Sequence, residues 1–394
     1  MKLCKKIKID VSKQDAEALE FMQDKCRGLY NWWIMKLRNG ERWNLNAAKK
    51  SLRESKAYDP ELRCVYGKLL AEVYFRIDKG MQDFFRRVAE GEKKAGFPRF
   101  KPRHQFFTLC YPAMYLEIQN NTIILPTGGG GNWGPKRYPN IVAHLTEEPP
   151  PDFREVAVTR DARGHYSCSF VYEQPEQASH PEGIVAFDLG IKTLATGYTD
   201  TGRFYHIGGF KGYRYYNKQL DKIRSKRDKC KKKSRRYLHL SRVYQRVSLR
   251  KRNKQRDCLH KASRLIAGKL AERAVVIGDL SQRQMVRNKN EEETPKEGKK
   301  RRIRNRMVYN DWGLYSFVQM LAYKCLLYGK ELYSISERNT TKQCHVCKCL
   351  QDMPLWKRTY RCANCGLVMD RDENSAVNIF QRFLARLGPH TSAI

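Results

Sequence analysis

The run Gly183-Ile-Val-Ala-Phe-Asp-Leu-Gly190 holds four successive apolar residues and ends on a carboxylate, Asp188. An apolar run this short and unbroken predicts a strand buried on both faces. Ala274–Ile277 reads the same way, Leu332–Ile335 reads as a last strand, and Leu194–Tyr198 and Phe204–Ile207 alternate as further strands. A long basic helical stretch separates Ile207 from Ala274. The resulting order, βββ-α-β-α-β-α, predicts a mixed α/β domain. A carboxylate at a strand end in such a sheet sits where ligands bind, although an Asp there can also simply cap a turn.

Upstream, the texture differs. Met1 to Ser12 reads as a strand through Leu3, Ile7, Ile9 and Val11, and Lys13 to Lys94 reads as helical. Phe21, Cys26, Leu29, Tyr30 and Trp33 form one apolar stripe; Leu69, Val73, Ile77, Met81 and Phe84 form another. Gly96, Pro98 and Pro102 break the pattern. Strands are then expected at Gln105–Tyr111, Tyr115–Gln119, Thr122–Leu125, Glu155–Thr159 and Tyr166–Tyr172. Gly128–Gly131 lacks the Lys-[Ser/Thr] of a phosphate loop and reads as a turn. Pro149–Pro151 is a stiff connector. The N-terminal half is thus a β-rich domain with a helical insert.

Lys and Arg number 77 against 41 Asp and Glu, a formal charge of +36 over 394 residues. Such a chain needs a polyanion as partner, and nucleic acid is the obvious one. The absence of a long apolar run argues against a membrane span, and the start of the chain shows no secretory pattern. Thirteen cysteines in an apparently cytoplasmic chain point to reduced thiols and a metal site rather than disulfides.

Cys344-His-Val-Cys347 and Cys362-Ala-Asn-Cys365 are two C-x2-C pairs. Each pair places two thiolates on one edge of a tetrahedron, and together they predict a structural Zn²⁺ site with four cysteine ligands. His345 and Cys349 break the paired spacing and are weaker candidates. The remaining eight cysteines read as small buried hydrophobes.

Between Lys211 and Arg256 lie 20 Lys/Arg and 2 acidic residues, half the net charge of the chain. A charge run is ordinarily a solvated helix face. Here Tyr213, Tyr216, Leu220, Ile223, Tyr237, Leu240 and Tyr244 interrupt it, predicting a helix pair with an apolar seam and cationic outer faces suited to phosphates. The expected nucleic-acid contacts are Arg224, Lys226, Arg227, Lys231, Lys232, Lys233, Arg235 and Arg236. A second basic stretch, Lys296–Arg306, follows the acidic Glu291–Glu293 and reads as a mobile loop.

Asp370-Arg-Asp-Glu-Asn374 follows the second cysteine pair and opens a helix, which either Asp370 or Asp372 can cap. The motifs Phe187-Asp-Leu-Gly-Ile-Lys-Thr-Leu-Ala195, Thr340-Thr-Lys-Gln-Cys-His-Val-Cys347, Cys362-Ala-Asn-Cys-Gly366 and Asp370-Arg-Asp-Glu-Asn-Ser-Ala-Val-Asn-Ile379 together resemble the transposon-associated TnpB nucleases. These are relatives of type V CRISPR effectors and of Fanzor proteins. The resemblance implies a wedge domain (1–12 and 96–180) with a helical recognition insert (13–95). It also implies an RNase H-like RuvC domain (181–340), including the basic helices at 211–273. A zinc ribbon (341–367) and a C-terminal helix and tail (368–394) complete it. Its further implications are a guide RNA, recognition of a short motif beside a DNA target, and Mg²⁺-dependent cutting, with Asp188 and Asp372 as metal-binding carboxylates.

One departure matters. The family strand ends in Glu-Asp-Leu, whereas here Val276-Ile-Gly-Asp-Leu280 places Gly278 at the glutamate position. Strand alternation turns Asp279 to the opposite face. Glu337, just beyond the neighbouring strand Leu332–Ile335, is about one interstrand spacing of 4.8 Å away and can fill the vacancy. The readings are an RNA-guided DNA endonuclease with Glu337 as third ligand, an RNA-guided DNA binder that does not cut, or a zinc-ribbon nucleic-acid-binding accessory of transposition. Whichever holds, neutralising Lys231–Lys233, Arg235 and Arg236 should flatten the log–log salt dependence of nucleic-acid binding by up to about 4–5 units. A titration series in salt measures this; an unchanged slope would make the run a solvated face only.

Overall fold

The computed structural model of the chain describes all residues except 93–94, 131–135, 176–182, 272, 280–284, 287–293, 355 and 388–394. Part of the glycine-rich turn, Leu280, Glu291–Glu293 and the end of the expected C-terminal tail therefore lie outside the described residues. Two compact units divide at Gln174/Pro175.

In the first unit, β1 (Lys2–Asp10) leads into four helices: α1 (Lys13–Arg38), α2 (Leu45–Lys50), α3 (Leu52–Tyr58) and α4 (Gly67–Ala89). Ser12 caps α1 by accepting the Asp15 N–H. Its apolar stripe from Leu19 to Leu37 packs with Leu69, Leu70, Val73, Tyr74 and Ile77 of α4. Six strands follow: β2 (Leu109–Pro112), β3 (Glu117–Gln119), β4 (Thr122–Leu125), β5 (Ile141–Leu145), β6 (Phe153–Arg160) and β7 (Tyr166–Glu173). With β1 they form a seven-stranded antiparallel sheet in the order β2-β6-β7-β1-β5-β4-β3.

Two expectations change here. The strand read from Gln105 begins only at Leu109, and β5 was not anticipated. The reason for the second is that Ile141, Ala143 and Leu145 are buried while Val142 and His144 are exposed, and two small or polar residues in five blunt the alternating signal.

The second unit holds a five-stranded sheet ordered β10-β9-β8-β11-β12. Its strands are β8 (Ile184–Leu189), β9 (Thr193–Thr199), β10 (Phe204–Gly208), β11 (Ala274–Gly278) and β12 (Glu331–Ile335). The pairs β8/β9 and β9/β10 are antiparallel; β8/β11 and β11/β12 are parallel. Between β10 and β11 run α5 (Tyr213–Asp228) and α6 (Arg235–Leu265). Between β11 and β12 lie α7 (Pro295–Arg306), a π-helical turn (Met307–Trp312) and α8 (Leu314–Leu327). A two-stranded ribbon, β13 (Thr359–Arg361) with β14 (Val368–Asp370), leads into α9 (Arg371–Leu387).

The expected element order of the α/β domain is thus observed, but Lys296–Arg306 is not a loop. Thr294 and Glu297 form a reciprocal capping box, and Pro295 starts the helix. Nor are all of the other cysteines buried: Cys4 is exposed, and Cys110, Cys230 and Cys258 are half-buried.

Alternation in the sheet sorts side chains into two layers. Val185, Phe187, Val275 and Ile277 face Leu259, Ile266, Phe317 and Leu321 of α6, α8 and the turn between α6 and β11. Ala186, Val276 and Ile335 face Ile379, Phe380 and Phe383 of α9. Gly197, opposite Phe187 in β9, has no room for more: a Cβ there would collide with the Phe187 ring. Gly197→Ala should therefore destabilise the unit by about 1–3 kcal/mol through overpacking. Denaturant unfolding would show it, and Phe187→Leu in the same chain should recover part of the loss.

Candidate active site and metal centre

Asp188 follows Phe187 on β8 and so falls on the face of Ala186, toward α9. It is 9 % exposed. Burial pushes its carboxyl up to about 7, and the nearby Asp372 charge adds to this against the Ser375 hydroxyl and the Arg371 and Arg358 charges. Gly278, two residues past Val276, shares this face. Its register partner is Ile335, and Glu337 lies two residues further on, again on the same side.

The structure brings Glu337 directly over Gly278. A Cβ at 278 would overlap the Cγ, Cδ and Oε1 atoms of Glu337, so this carboxylate occupies the volume that a side chain at 278 would take. Glu337 Oε1 is buried with no hydrogen-bond partner among the described residues. Burial first, then the charges of Asp188 and Asp279, raise the Glu337 carboxyl to about 8. Asp279 is exposed and points elsewhere, as alternation requires. It still braces the site: its N–H donates to Ile335 O at 2.8 Å and its Oδ1 accepts the Glu337 N–H at 3.0 Å. Sequence reasoning set Asp279 aside as a ligand and missed this bracing role, which only the pairing of β11 with β12 creates.

Asp370 caps α9, accepting the N–H of Asp372 at 2.7 Å. Asp372 is thereby freed from capping and faces the same cavity as Asp188 and Glu337. Arg358 Nη1 reaches one of its oxygens at 2.6 Å, and Arg371 Nη2 the other at 2.8 Å. Neither arginine was singled out from the sequence. The three carboxylates line one cavity of 1590 Å³ without forming as tight a cluster as the cysteines. An orphaned buried carboxylate oxygen beside two further carboxylates is a donor set that fits a hard divalent cation such as Mg²⁺.

The four cysteines do converge. All four Sγ atoms lie within 4.8 Å of one another; Cys344 and Cys365 are 3.6 Å apart, and Cys347 and Cys362 3.5 Å. A tetrahedron with 2.3 Å Zn–S bonds has edges of about 3.8 Å, so the cluster fits zinc. His345 turns its ring to Asn374 at 3.1 Å, and the Cys349 thiol turns to Leu350 O. Gly366, at φ +75°, makes the second knuckle's turn. Asn374 and Asn378 of α9, both buried, donate to Gln343 O at 2.8 and 2.7 Å, which ties the first knuckle to the helix that carries Asp372.

α5 and α6 pack together as an antiparallel pair. Arg224 and Arg227 lie over the Tyr244 ring, with Arg227 also over Tyr237, so these two sit against the seam. Lys231, Lys232, Lys233, Arg235 and Arg236 are exposed at the connecting turn and the start of α6. Of the eight expected contacts, Lys226 lines the carboxylate cavity. No helix among the described residues is long and apolar enough to cross a membrane.

Comparison with known proteins agrees with the motif reading. A family model described as "Cas12f1-like, TNB domain" matches residues 315–379, and one described as "Probable transposase" matches 167–289. An Escherichia coli K12 protein provisionally named RNA-guided DNA endonuclease InsQ is 27 % identical over 310 residues, 77 % of this chain and 71 % of that protein. A Streptomyces pristinaespiralis protein, also provisionally named an RNA-guided DNA endonuclease, is 31 % identical over 239 residues. That alignment spans 58 % of this chain and about half of the relative, 53 %. The fold is similar to that of a Cas12f1–sgRNA–target DNA complex solved by cryo-EM, with TM-score 0.60 and 14 % identity over 93 % of this chain and 83 % of that one. The resemblance to TnpB nucleases stands.

Cys362→Ser should lower bound zinc from about one ion per chain to near zero. It should also loosen β14 and the start of α9, read as faster amide exchange there. Zinc-free wild-type protein, carefully purified and intact, would overturn the assignment.

Proposed function

We propose, with the likeness to the TnpB nucleases as premise, that this chain is an RNA-guided DNA endonuclease whose RuvC-type site is built from Asp188, Glu337 and Asp372. The observation that carries the proposal is Glu337 filling the volume above Gly278. A position that holds a glutamate in the family is held here by a carboxylate from the adjacent strand. In this reading Lys2–Gln174 is the wedge domain with its helical recognition insert. The remainder is an RNase H-like RuvC domain carrying the zinc ribbon, and guide RNA and target DNA account for the charge of +36.

Asp188, Glu337 and Asp372 would hold the catalytic Mg²⁺. Bound there, the metal would supply an activated water and neutralise charge on the scissile phosphate and leaving oxygen. The residues prepare the site for this. Burial of Asp188 and Glu337 makes both carboxylates costly to ionise without a cation, so the pocket favours a divalent ion over remaining empty and charged. Asp279 fixes the backbone of Glu337. Arg358 and Arg371 balance Asp372 and keep its carboxylate aimed into the cavity.

One observation favours a second reading, a guided binder that does not cut: both Asp372 oxygens are engaged by arginines. Substitution separates the two readings. With guide RNA and Mg²⁺, Glu337→Gln should abolish cutting as fully as Asp188→Ala while target binding persists. Gly278→Glu alone should also fail, because it collides with Glu337; combined with Glu337→Ala it should restore part of the activity. A Glu337→Gln protein that cuts at the wild-type rate would rule out the relocated ligand. A wild type that binds target but never cuts in Mg²⁺ or Mn²⁺ would establish the second reading.

A further inference from the structure

Each close pair in the four-cysteine cluster joins an accessible sulfur to a buried one. Cys365 is exposed, and its partner Cys344, 3.6 Å away, is buried. Cys347 is half-buried, and its partner Cys362, 3.5 Å away, is buried. Both pairs cross from one knuckle to the other. A thiol attacked by a peroxide becomes a sulfenic acid, and it goes on to a disulfide when a second thiol stands beside it. The cluster supplies that second thiol twice. Cysteines that hold a metal are thiolates, and the thiolate is the reactive form.

Two further observations give oxidation a consequence. Besides Cys344 and Cys362, the buried core around the cluster is Met353 and Tyr360, and a core this small leans on its cross-links for stability. A disulfide needs its sulfurs at about 2.0 Å, so oxidation pulls the knuckles together and removes the ligands that would hold a metal. Both knuckles are coupled to α9. Asn374 Oδ1 accepts the His345 N–H at 3.1 Å, Lys348 donates to Gln381, and Arg382 donates to Gln343 Oε1 at 3.0 Å. The second knuckle runs through β14 into the same helix. Arg358, which lies between the knuckles in sequence, donates to Asp372 at 2.6 Å. A shift of one knuckle against the other therefore moves the start of α9 and the carboxylate on it.

We propose that the four-cysteine cluster is a site of reversible oxidation by hydroperoxides, which loosens the start of α9 and displaces Asp372. The accessible sulfur, Cys365 or Cys347, attacks the O–O bond; an S–O bond forms and hydroxide leaves. The buried partner, Cys344 or Cys362, then attacks the sulfenic sulfur; an S–S bond forms and hydroxide leaves again. In each pair two thiolates give up two electrons, and one hydrogen peroxide with two protons becomes two waters. Once both pairs have reacted, no thiolate remains to hold Zn²⁺. A dithiol reductant reverses the step by thiol–disulfide exchange. The modification rests on the cluster alone; its effect on cutting rests on the nuclease reading above.

The test uses the full chain as purified, with its co-purified RNA, and graded hydrogen peroxide at neutral pH. Cys4, exposed and outside the cluster, is the internal reference for an ordinary thiol. Peptide mapping should find Cys344 joined to Cys365 and Cys347 joined to Cys362 while most of Cys4 is still reduced. A chromogenic chelator should read about one Zn²⁺ released for every four cluster thiols lost. Amide exchange in β14 and the first turns of α9 should speed up more than about tenfold, with β8 and β11 unchanged. A dithiol with added Zn²⁺ should return exchange to its starting rate. Cys349→Ser should respond like the wild type, because that thiol turns to Leu350 O. Cys365→His keeps four metal ligands, so it should bind zinc yet lose about two cluster thiols rather than four. Cluster sulfurs still reduced once Cys4 is oxidised would overturn the site, as would disulfides that leave exchange in α9 unchanged. Cutting is scored on the same samples. If oxidation loosens α9 reversibly but the reduced protein never cuts, the oxidation site stands and the nuclease reading falls. If the reduced protein cuts and peroxide spares the cluster, the reverse holds.

Discussion

Parallel pairing of β8, β11 and β12 is the constraint on which the candidate site depends. Because side chains alternate strictly along a strand, the register Val276↔Ala186 and Gly278↔Ile335 decides which residues share the α9 face. Asp188, Gly278 and Glu337 come out on that face together; Asp279 does not. A slip of one residue in β12 would point Glu337 away and bring Ser336 in. The apolar cluster of Ala186, Val276, Ile335, Ile379 and Phe380 opposes such a slip, since it would also expose Ile335. The packing that stabilises the sheet therefore also aims the carboxylates.

The four-cysteine segment acts on the same face through hydrogen bonds from side chains of α9 rather than through the sheet. Asn374 and Asn378 reach back to Gln343 O, and Ser375 donates to the Thr340 hydroxyl at 3.0 Å. These residues lie within two turns of Asp372 on α9. Arg358, at the foot of β13, completes the link by ion pairing with Asp372. The first cysteine knuckle thus sets the start of the helix that carries Asp372, so a metal held by the four cysteines would have a direct route to the geometry of the site.

Charge is distributed with more discrimination than its total suggests. Arg224 and Arg227 spend their guanidinium groups on tyrosine faces within the α5–α6 seam. Lys251 and Asp311 form a buried ion pair beside Asn217, anchoring the π-helical turn to α6. These cations hold the helical pair together.

Much of this was legible in the chain. Unbroken apolar runs located β8 and β11, two inner strands of the α/β sheet, because a strand covered on both faces offers few positions to polar residues. Paired C-x2-C spacing located the four-cysteine cluster, because two thiolates in one turn already define one edge of a tetrahedron. Asp188 and Asp372 were readable from the motifs that surround them, and Glu337 from the gap at Gly278 and the expected strand order. Other features came only with the tertiary structure. The helix α7 was hidden because its sequence is mostly polar and cationic, without an apolar stripe, and its start is set by a two-residue reciprocal cap. Arg358, Arg371 and the bracing role of Asp279 could not be read because each depends on a partner brought close by the fold: β14 leading into α9, or β11 lying beside β12. Which lysines of the basic run face the carboxylates was likewise decided in three dimensions, since composition counts charges and only the packing of α5 on α6 chooses the face that stays open.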